Sequence, residues 1–299
     1  MEMKVYAGNW LIPYPMAMIK SRLLLSGVHL RRAEGIVEEI AESHKATQDW
    51  PTEKDIIHEV DQILSSYDKD YGKNLETVNK YYQLRREGDE IPPIVLILEG
   101  ASATGKSMLL LSTILALGAT RFVSTDSIRQ VLRTQISKED YPELFCHTYQ
   151  AHEFNQVGPE SLGAVVRGFL AQEQIIKPVV TQSVERVIAE GTEAIIEGVH
   201  VIPGELSSIA KSVLEVIIEP GKEMHRAMFM SKKSLAGLKT VGGATNQREL
   251  EFKSTREIQD YILDKAADSN IRVIHLEDYQ VAFQEISMLI RKRMEALIT

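Results

Sequence analysis

Lys106 and Ser107 end the run Gly100-Ala101-Ser102-Ala103-Thr104-Gly105-Lys106-Ser107, the Gly-x-x-x-x-Gly-Lys-Ser spacing of a phosphate-binding loop. In such a loop the backbone N–H groups cradle phosphates at a helix N-terminus, where the dipole also favours anions. Lys106 reaches the β- and γ-phosphates, and the Ser107 hydroxyl ligates magnesium. The chemistry implied is binding of ATP with Mg2+. A second group is Asp126 with Arg129 and Arg133. The two arginines are four residues apart and share one helix face. A carboxylate beside a phosphate loop can orient an attacking hydroxyl or accept its proton. Paired guanidiniums suit an anionic substrate group. The plainer alternative is an N-cap followed by two solvated arginines. A third group is Glu197 and His200. Glu197 stands where a magnesium-orienting carboxylate sits in phosphate-loop proteins. His200 either donates to a phosphate or acid group of the substrate or closes the loop. Finally, Lys232, Lys233, Lys239, Arg248 and Arg256 are lid or lid-proximal cations. A lid excludes water and offsets transition-state charge.

These residues need a scaffold that brings them to one edge. Short apolar runs at 94–98, 121–124, 194–196, 213–218 and 271–275 alternate with helical patterns, and a helix at 280–296 closes the chain. Such alternation predicts an α/β fold: a five-stranded parallel sheet with helices on both faces. Ligands of these sheets bind beyond the carboxyl ends of the strands. Residues 159–191 read as helical, interrupted by Pro178, and form a wall for an acceptor pocket. The Lys/Gly-rich stretch 231–250 between helices at 222–230 and 251–267 is the expected lid. Residues 1–90 differ: a hairpin at 5–10, then helices at 16–25, 30–41, 56–67 and 74–86, with a capping box at Thr52-Glu53-Lys54-Asp55. The expected organisation is therefore a small, mostly helical domain over 1–90 and a larger one over 91–299.

Composition narrows the function classes. The 299 residues carry a formal charge of −8, with 44% apolar and 25% charged residues. That balance argues against a general nucleic-acid binder and against a basic membrane surface. The single cysteine, Cys146, excludes an internal disulfide and a cysteine metal cluster. His29, His44 and His58 lack ligand spacing. No run is long enough for a membrane span, and the N-terminus lacks a signal-peptide pattern, so the cytoplasm is the expected compartment. Nothing in the sequence indicates an oligomer.

The phosphate loop, together with Ser124–Arg133, Ile195-Ile196-Glu197-Gly198-Val199-His200-Val201-Ile202-Pro203-Gly204 and Phe252-Lys253-Ser254-Thr255-Arg256-Glu257-Ile258-Gln259-Asp260-Tyr261-Ile262, resembles the archaeal 2-phosphoglycerate kinases. The resemblance implies a P-loop kinase, ATP and Mg2+, a small phosphorylated acid as acceptor and an N-terminal ATP-cone-like domain. It makes Lys106, Asp126 and Arg129 catalytic candidates. Asp126, Arg129, Arg133, His200, Lys232 and Arg256 become substrate-binding candidates, and Ser107 and Glu197 metal ligands. The chain departs from the family in places. A cone's basic hairpin is reduced to Lys4, and the Ser-Ser-Tyr segment reads His147-Thr148-Tyr149. The family's His-x-x-Arg-Phe-x-x-Arg reads His225-x-x-Met228-Phe229-x-x-Lys232. Loss of Arg at 228 removes a bidentate phosphate fork, which points to a changed acceptor. Within the resemblance the leading acceptor is then mevalonate 3-phosphate, of an archaeal mevalonate (isoprenoid) pathway, giving mevalonate 3,5-bisphosphate. The alternative is 2-phosphoglycerate, giving 2,3-bisphosphoglycerate. A reading of another class is an ATP-switched regulatory protein, against which Asp126 and the paired arginines speak.

Overall fold

The computed structural model describes residues 3–47, 49–67, 69–88, 90–236 and 245–299. Lys239 and the Lys233 side chain lie outside the described residues. Two compact units are formed, one of Met1–Ile94, Leu111–Thr120 and Phe283–Thr299, the other of Val95–Leu110 and Arg121–Ala282.

In the first unit, an antiparallel hairpin of β1 (Met3–Ala7) and β2 (Trp10–Tyr14) precedes α1 (Met16–Leu25), α2 (Leu30–Thr47), α3 (Glu53–Tyr67) and α4 (Lys69–Glu87). The capping box forms as its sequence predicts: Asp55 N donates to Thr52 Oγ1 at 3.3 Å and Thr52 N to Asp55 Oδ2 at 2.8 Å. On α2, Ala33, Ile36, Val37, Ile40 and Ala41 form the buried stripe. Buried Arg22 donates to Asn79 Oδ1 at 2.5 Å and to Glu53 Oε1 at 3.1 Å. The cavity beside this network measures about 10 Å³, too small for a nucleotide.

The second unit follows as β3 (Val95–Glu99), α5 (Lys106–Leu117), β4 (Arg121–Ser124), α6 (Thr125–Leu132), α7 (Ala164–Ala189), β5 (Ala194–Gly198), β6 (Val213–Glu219), α8 (Lys222–Ala236), α9 (Thr245–Asp268), β7 (Arg272–His275) and α10 (Tyr279–Ile298). Two 3₁₀ segments, Pro142–Phe145 and Thr148–Glu153, lie between α6 and α7. The C-terminal part of α5, from Leu111, and most of α10, from Phe283, belong to the first unit, beyond the expected 1–90 segment. Ser21 Oγ donates to Ala116 O at 2.6 Å and Tyr82 OH to Leu117 O at 3.1 Å.

The sheet has the order β4-β5-β3-β6-β7, with every pairing parallel. All five carboxyl ends therefore share one edge, as the alternating pattern predicts. Strand β3 is buried throughout, which is why its sequence is continuously apolar up to Glu99. On one face, Ile176, Val180, Val184 and Val187 of α7 pack with Val95, Ile97, Ala194, Ile196 and Val213. Each such fully buried aliphatic side chain contributes roughly 1.5–3 kcal/mol. This stripe carries α7 through Pro178 as one helix, so the interruption expected there does not occur. Proline removes one backbone hydrogen bond, and the apolar contacts on both sides outweigh that loss. Nor is all of 231–250 a loop: α8 continues to Ala236 and α9 begins at Thr245, making Lys232 and Arg248 helical. Among the described residues no helix is long and apolar enough to cross a membrane.

Candidate functional site

The strand-to-helix turn after β3 is the phosphate loop. Ala103 takes φ 67° and Gly105 φ 94°, left-handed conformations that turn successive N–H groups inward. Lys106 folds back over the loop, donating to Gly100 O at 2.7 Å, Ala101 O at 2.8 Å and Thr104 Oγ1 at 3.2 Å. Burial pushes its pKa down to about 8, against the opposing pull of Glu197 and Asp126.

Helices α8 and α9 hold this loop from behind. The fully buried Gln259 accepts from Ala101 N at 2.7 Å and donates to Ile218 O at 3.1 Å and Glu219 Oε2 at 2.8 Å. All the amide's polar atoms are thereby engaged. His225 Nε2 donates to Ser102 O at 2.8 Å, and Lys232 Nζ donates to Ser102 Oγ at 3.0 Å. Arg256 pairs with Glu219 at 2.8 Å and Asp260 at 2.7 Å, and it does not line the cleft. It is a strut behind the loop.

Beyond β4 and β5 lies the other half of the site. Ser124 Oγ donates to Glu197 Oε1 at 3.0 Å. Asp126, in the first turn of α6, pairs with Arg129 NH2 at 2.9 Å and remains 63% exposed to the cleft. Partial burial works to raise the Asp126 pKa. The Arg129, Lys106 and Lys232 cations outweigh it and hold the carboxyl below its ordinary range. Arg129 NH1 also donates to Cys146 O at 2.8 Å, and Arg133 donates to Leu144 O at 2.6 Å and Cys146 O at 3.2 Å. Both arginines thus fasten the segment 144–146 to α6 while their side chains line the cleft. Cys146 is a thiol, its pKa pushed up to about 11 by burial.

The cleft has a volume of about 610 Å³. Of the predicted site residues it is lined by Ala101, Ser102, Ala103, Lys106, Ser107, Asp126, Arg129, Arg133, Glu197 and Lys232. Gly100, Thr104 and Gly105 shape the loop from outside the lining. His200 lies behind the wall, 1% exposed, and burial pushes its pKa down to about 3, so its ring is neutral. The rest of the lining is aromatic and polar and includes Phe145, His147, Tyr149, Gln150, Glu153 and Phe154. The His147 and Tyr149 rings stack with centroids 5.1 Å apart.

Met228 is on the other side. A Cβ built on Gly105 would lie 2.4 Å from Leu276 Cδ2, 3.0 Å from the Tyr279 hydroxyl and 3.2 Å from Met228 Cε. Met228 therefore packs against the phosphate loop and is not part of the cleft lining. Its substitution for arginine speaks to the nucleotide side, so the inference from residue 228 to a different acceptor loses its geometric basis. Sequence reasoning assigned no role to Gln259, His225, Thr125, Thr148 or Gln172. Their partners are far away in the chain, 158 residues for Gln259 and Ala101, and local spacing carries no signal of them.

The parallel sheet, the strand–loop–helix turn after β3 and this cleft make an α/β fold with a phosphate-binding loop opening on a pocket at the carboxyl edge of the strands. No family model matches the chain. It is similar along almost its whole length to archaeal 2-phosphoglycerate kinases. With that of Thermococcus kodakarensis it shares 25% identity over 295 residues, 96% of this chain and 95% of the relative. With that of Methanopyrus kandleri it shares 26% over 299 residues, 98% and 88%. Among solved structures, shikimate kinase from Acinetobacter baumannii in complex with shikimate aligns over 66% of this chain and 93% of its own, at 14% identity and a TM-score of 0.41.

Proposed function

We propose that the chain transfers the γ-phosphoryl group of ATP, with magnesium, to a hydroxyl of a small phosphorylated carboxylic acid. The observation that carries this reading is one cleft lined by the phosphate loop, Glu197, Lys232 and the Asp126–Arg129 pair. The Ser107 hydroxyl and Glu197 carboxylate are hard oxygen donors of the kind magnesium takes. Magnesium bound with the nucleotide would offset charge on the β- and γ-phosphates. Lys106 exchanges its loop carbonyls for phosphate oxygens. Lys232, tied to Ser102, supplies positive charge where the transferring group passes. Asp126 accepts a hydrogen bond from the attacking hydroxyl. Its depressed pKa keeps it ionised at neutral pH, so it orients the hydroxyl and takes the proton late in transfer. Arg129 holds that carboxylate in place.

The named relatives make 2-phosphoglycerate one acceptor to test. The aromatic side chains Phe145 and Phe154 in the cleft lining favour an acceptor with an aliphatic segment, which keeps mevalonate 3-phosphate as the second. ADP release measured side by side with both acids, and with other phosphorylated acids, decides between them. One acceptor is expected to raise the rate far above water hydrolysis. Rates at the hydrolysis background with every acceptor would remove the kinase reading and favour a nucleotide switch.

Lys106 gives the reaction a pH dependence. With its pKa near 8 in the free protein, kcat/KM for ATP is expected to fall about tenfold per pH unit above that value. The neutral amine no longer offsets phosphate charge. Bound phosphates stabilise the ammonium, so kcat at saturating ATP holds to higher pH. A kcat/KM profile that stays flat through alkaline pH contradicts this assignment.

A further inference from the structure

We propose that His200 is a positioning residue that sets the acceptor wall against the Asp126 helix through a hydrogen-bond chain of fixed polarity; the inference rests on the kinase reading of the cleft. The polarity follows from the partners. Gln172 Nε2 donates to the carbonyls of Glu143 and Cys146. Carbonyls only accept, so the amide orientation is determined and Gln172 Oε1 must accept from His200 Nε2, 3.0 Å away. His200 therefore carries its proton on Nε2, which also lies 3.1 Å from Thr148 Oγ1. Its Nδ1 is a bare lone pair, and the Thr125 hydroxyl donates to it at 3.0 Å.

Thr125, Gln172 and His200 are all buried, so water has no access to replace a lost link. One end of the chain is the residue before Asp126. The other is the segment 143–148, which leads into Tyr149, Gln150 and Glu153 on the acceptor side of the cleft. Arg129 and Arg133 fasten that segment from the cleft side, and the His200 ring braces it from behind. A rigid ring of this kind fixes the distance between the hydroxyl-orienting carboxylate and the surface the acceptor rests on.

The test has two parts. In full-length protein with ¹⁵N-labelled imidazole rings, the His200 signals, assigned by their loss in His200→Gln, are expected to report the neutral Nε2-protonated tautomer with no titration across neutral pH. A ring that titrates near its ordinary value, or that is protonated on Nδ1, overturns the chain whether or not any acceptor is turned over. In kinetics, His200→Leu is expected to lower kcat/KM for the acceptor by about 10²-fold, the cost of a misplacement near 1 Å, with KM for ATP unchanged. His200→Gln keeps a donor toward Gln172 and is expected to recover part of that loss. Equal effects on ATP and acceptor, or no recovery by glutamine, overturn the positioning role. Absence of turnover in the wild type would overturn the kinase reading and leave the ring's tautomer to decide the chain.

Discussion

Asp126→Asn is expected to lower kcat by about 10²–10⁴-fold while KM for ATP stays where it is. The side chain keeps its size, so the cleft keeps its shape. What is lost is the negative charge that accepts the acceptor's proton and pairs with Arg129 at 2.9 Å. The phosphate loop is held by hydrogen bonds with other groups, Gln259, His225 and Lys232, and Asp126 acts on Lys232 and Lys106 only through its charge. Nucleotide affinity and phosphoryl transfer should therefore separate. Nucleotide titration alongside steady-state kinetics checks this. A variant that turns over normally places the acceptor's proton elsewhere, and one that loses ATP affinity equally makes Asp126 part of the nucleotide site.

The second large effect is structural. Gly168 lies inside α7, where propensity alone predicts that alanine stabilises by about 1 kcal/mol. A Cβ there would stand 2.2 Å from His152 N and 2.4 Å from His152 Cα. Both are backbone atoms and have no rotamer to retreat to. Overpacking of this kind costs roughly 1–3 kcal/mol and sometimes more, so the sign inverts. Gly168→Ala is expected to destabilise the fold and to raise the acceptor KM, because the displaced segment Thr148–Glu153 lines the acceptor half of the cleft. Gly35→Ala on α2, where a new Cβ would meet nothing within 4 Å, is the control and should stabilise by about 0.5–1 kcal/mol. Chemical denaturation of the two variants checks both signs. Stabilisation by Gly168→Ala would contradict the close approach of α7 to residues 148–153.

The sheet was legible because its three central strands, β5, β3 and β6, are buried and so read as apolar runs between helical patterns, while the edge strands β4 and β7 are shorter and largely exposed. The observed strands start or end within a residue or two of those runs. The phosphate loop was legible for a related reason: phosphate binding by backbone N–H groups forces a fixed spacing onto consecutive residues. Glu197 and Asp126 could be found from their places at strand ends. His200 and Arg256 were harder, since a sequence shows that a cation or imidazole is near an edge without showing which side of the wall it occupies. Met228 illustrates the same limit. A substitution within a motif is visible, yet its direction, toward nucleotide or acceptor, depends on how α8 rotates against Gly105. The bracing residues Gln259, Thr148 and Gln172 are neutral side chains whose roles come wholly from long-range partners.

Phosphorus NMR of the complete reaction follows the transferred phosphoryl group itself. With full-length protein, ATP, magnesium and either 2-phosphoglycerate or mevalonate 3-phosphate, a new phosphate-ester resonance is expected to grow in step with ADP. The signal should be suppressed by Asp126→Asn. Formation of inorganic phosphate alone, at a rate indifferent to the acceptor and to residue 126, would contradict the kinase reading.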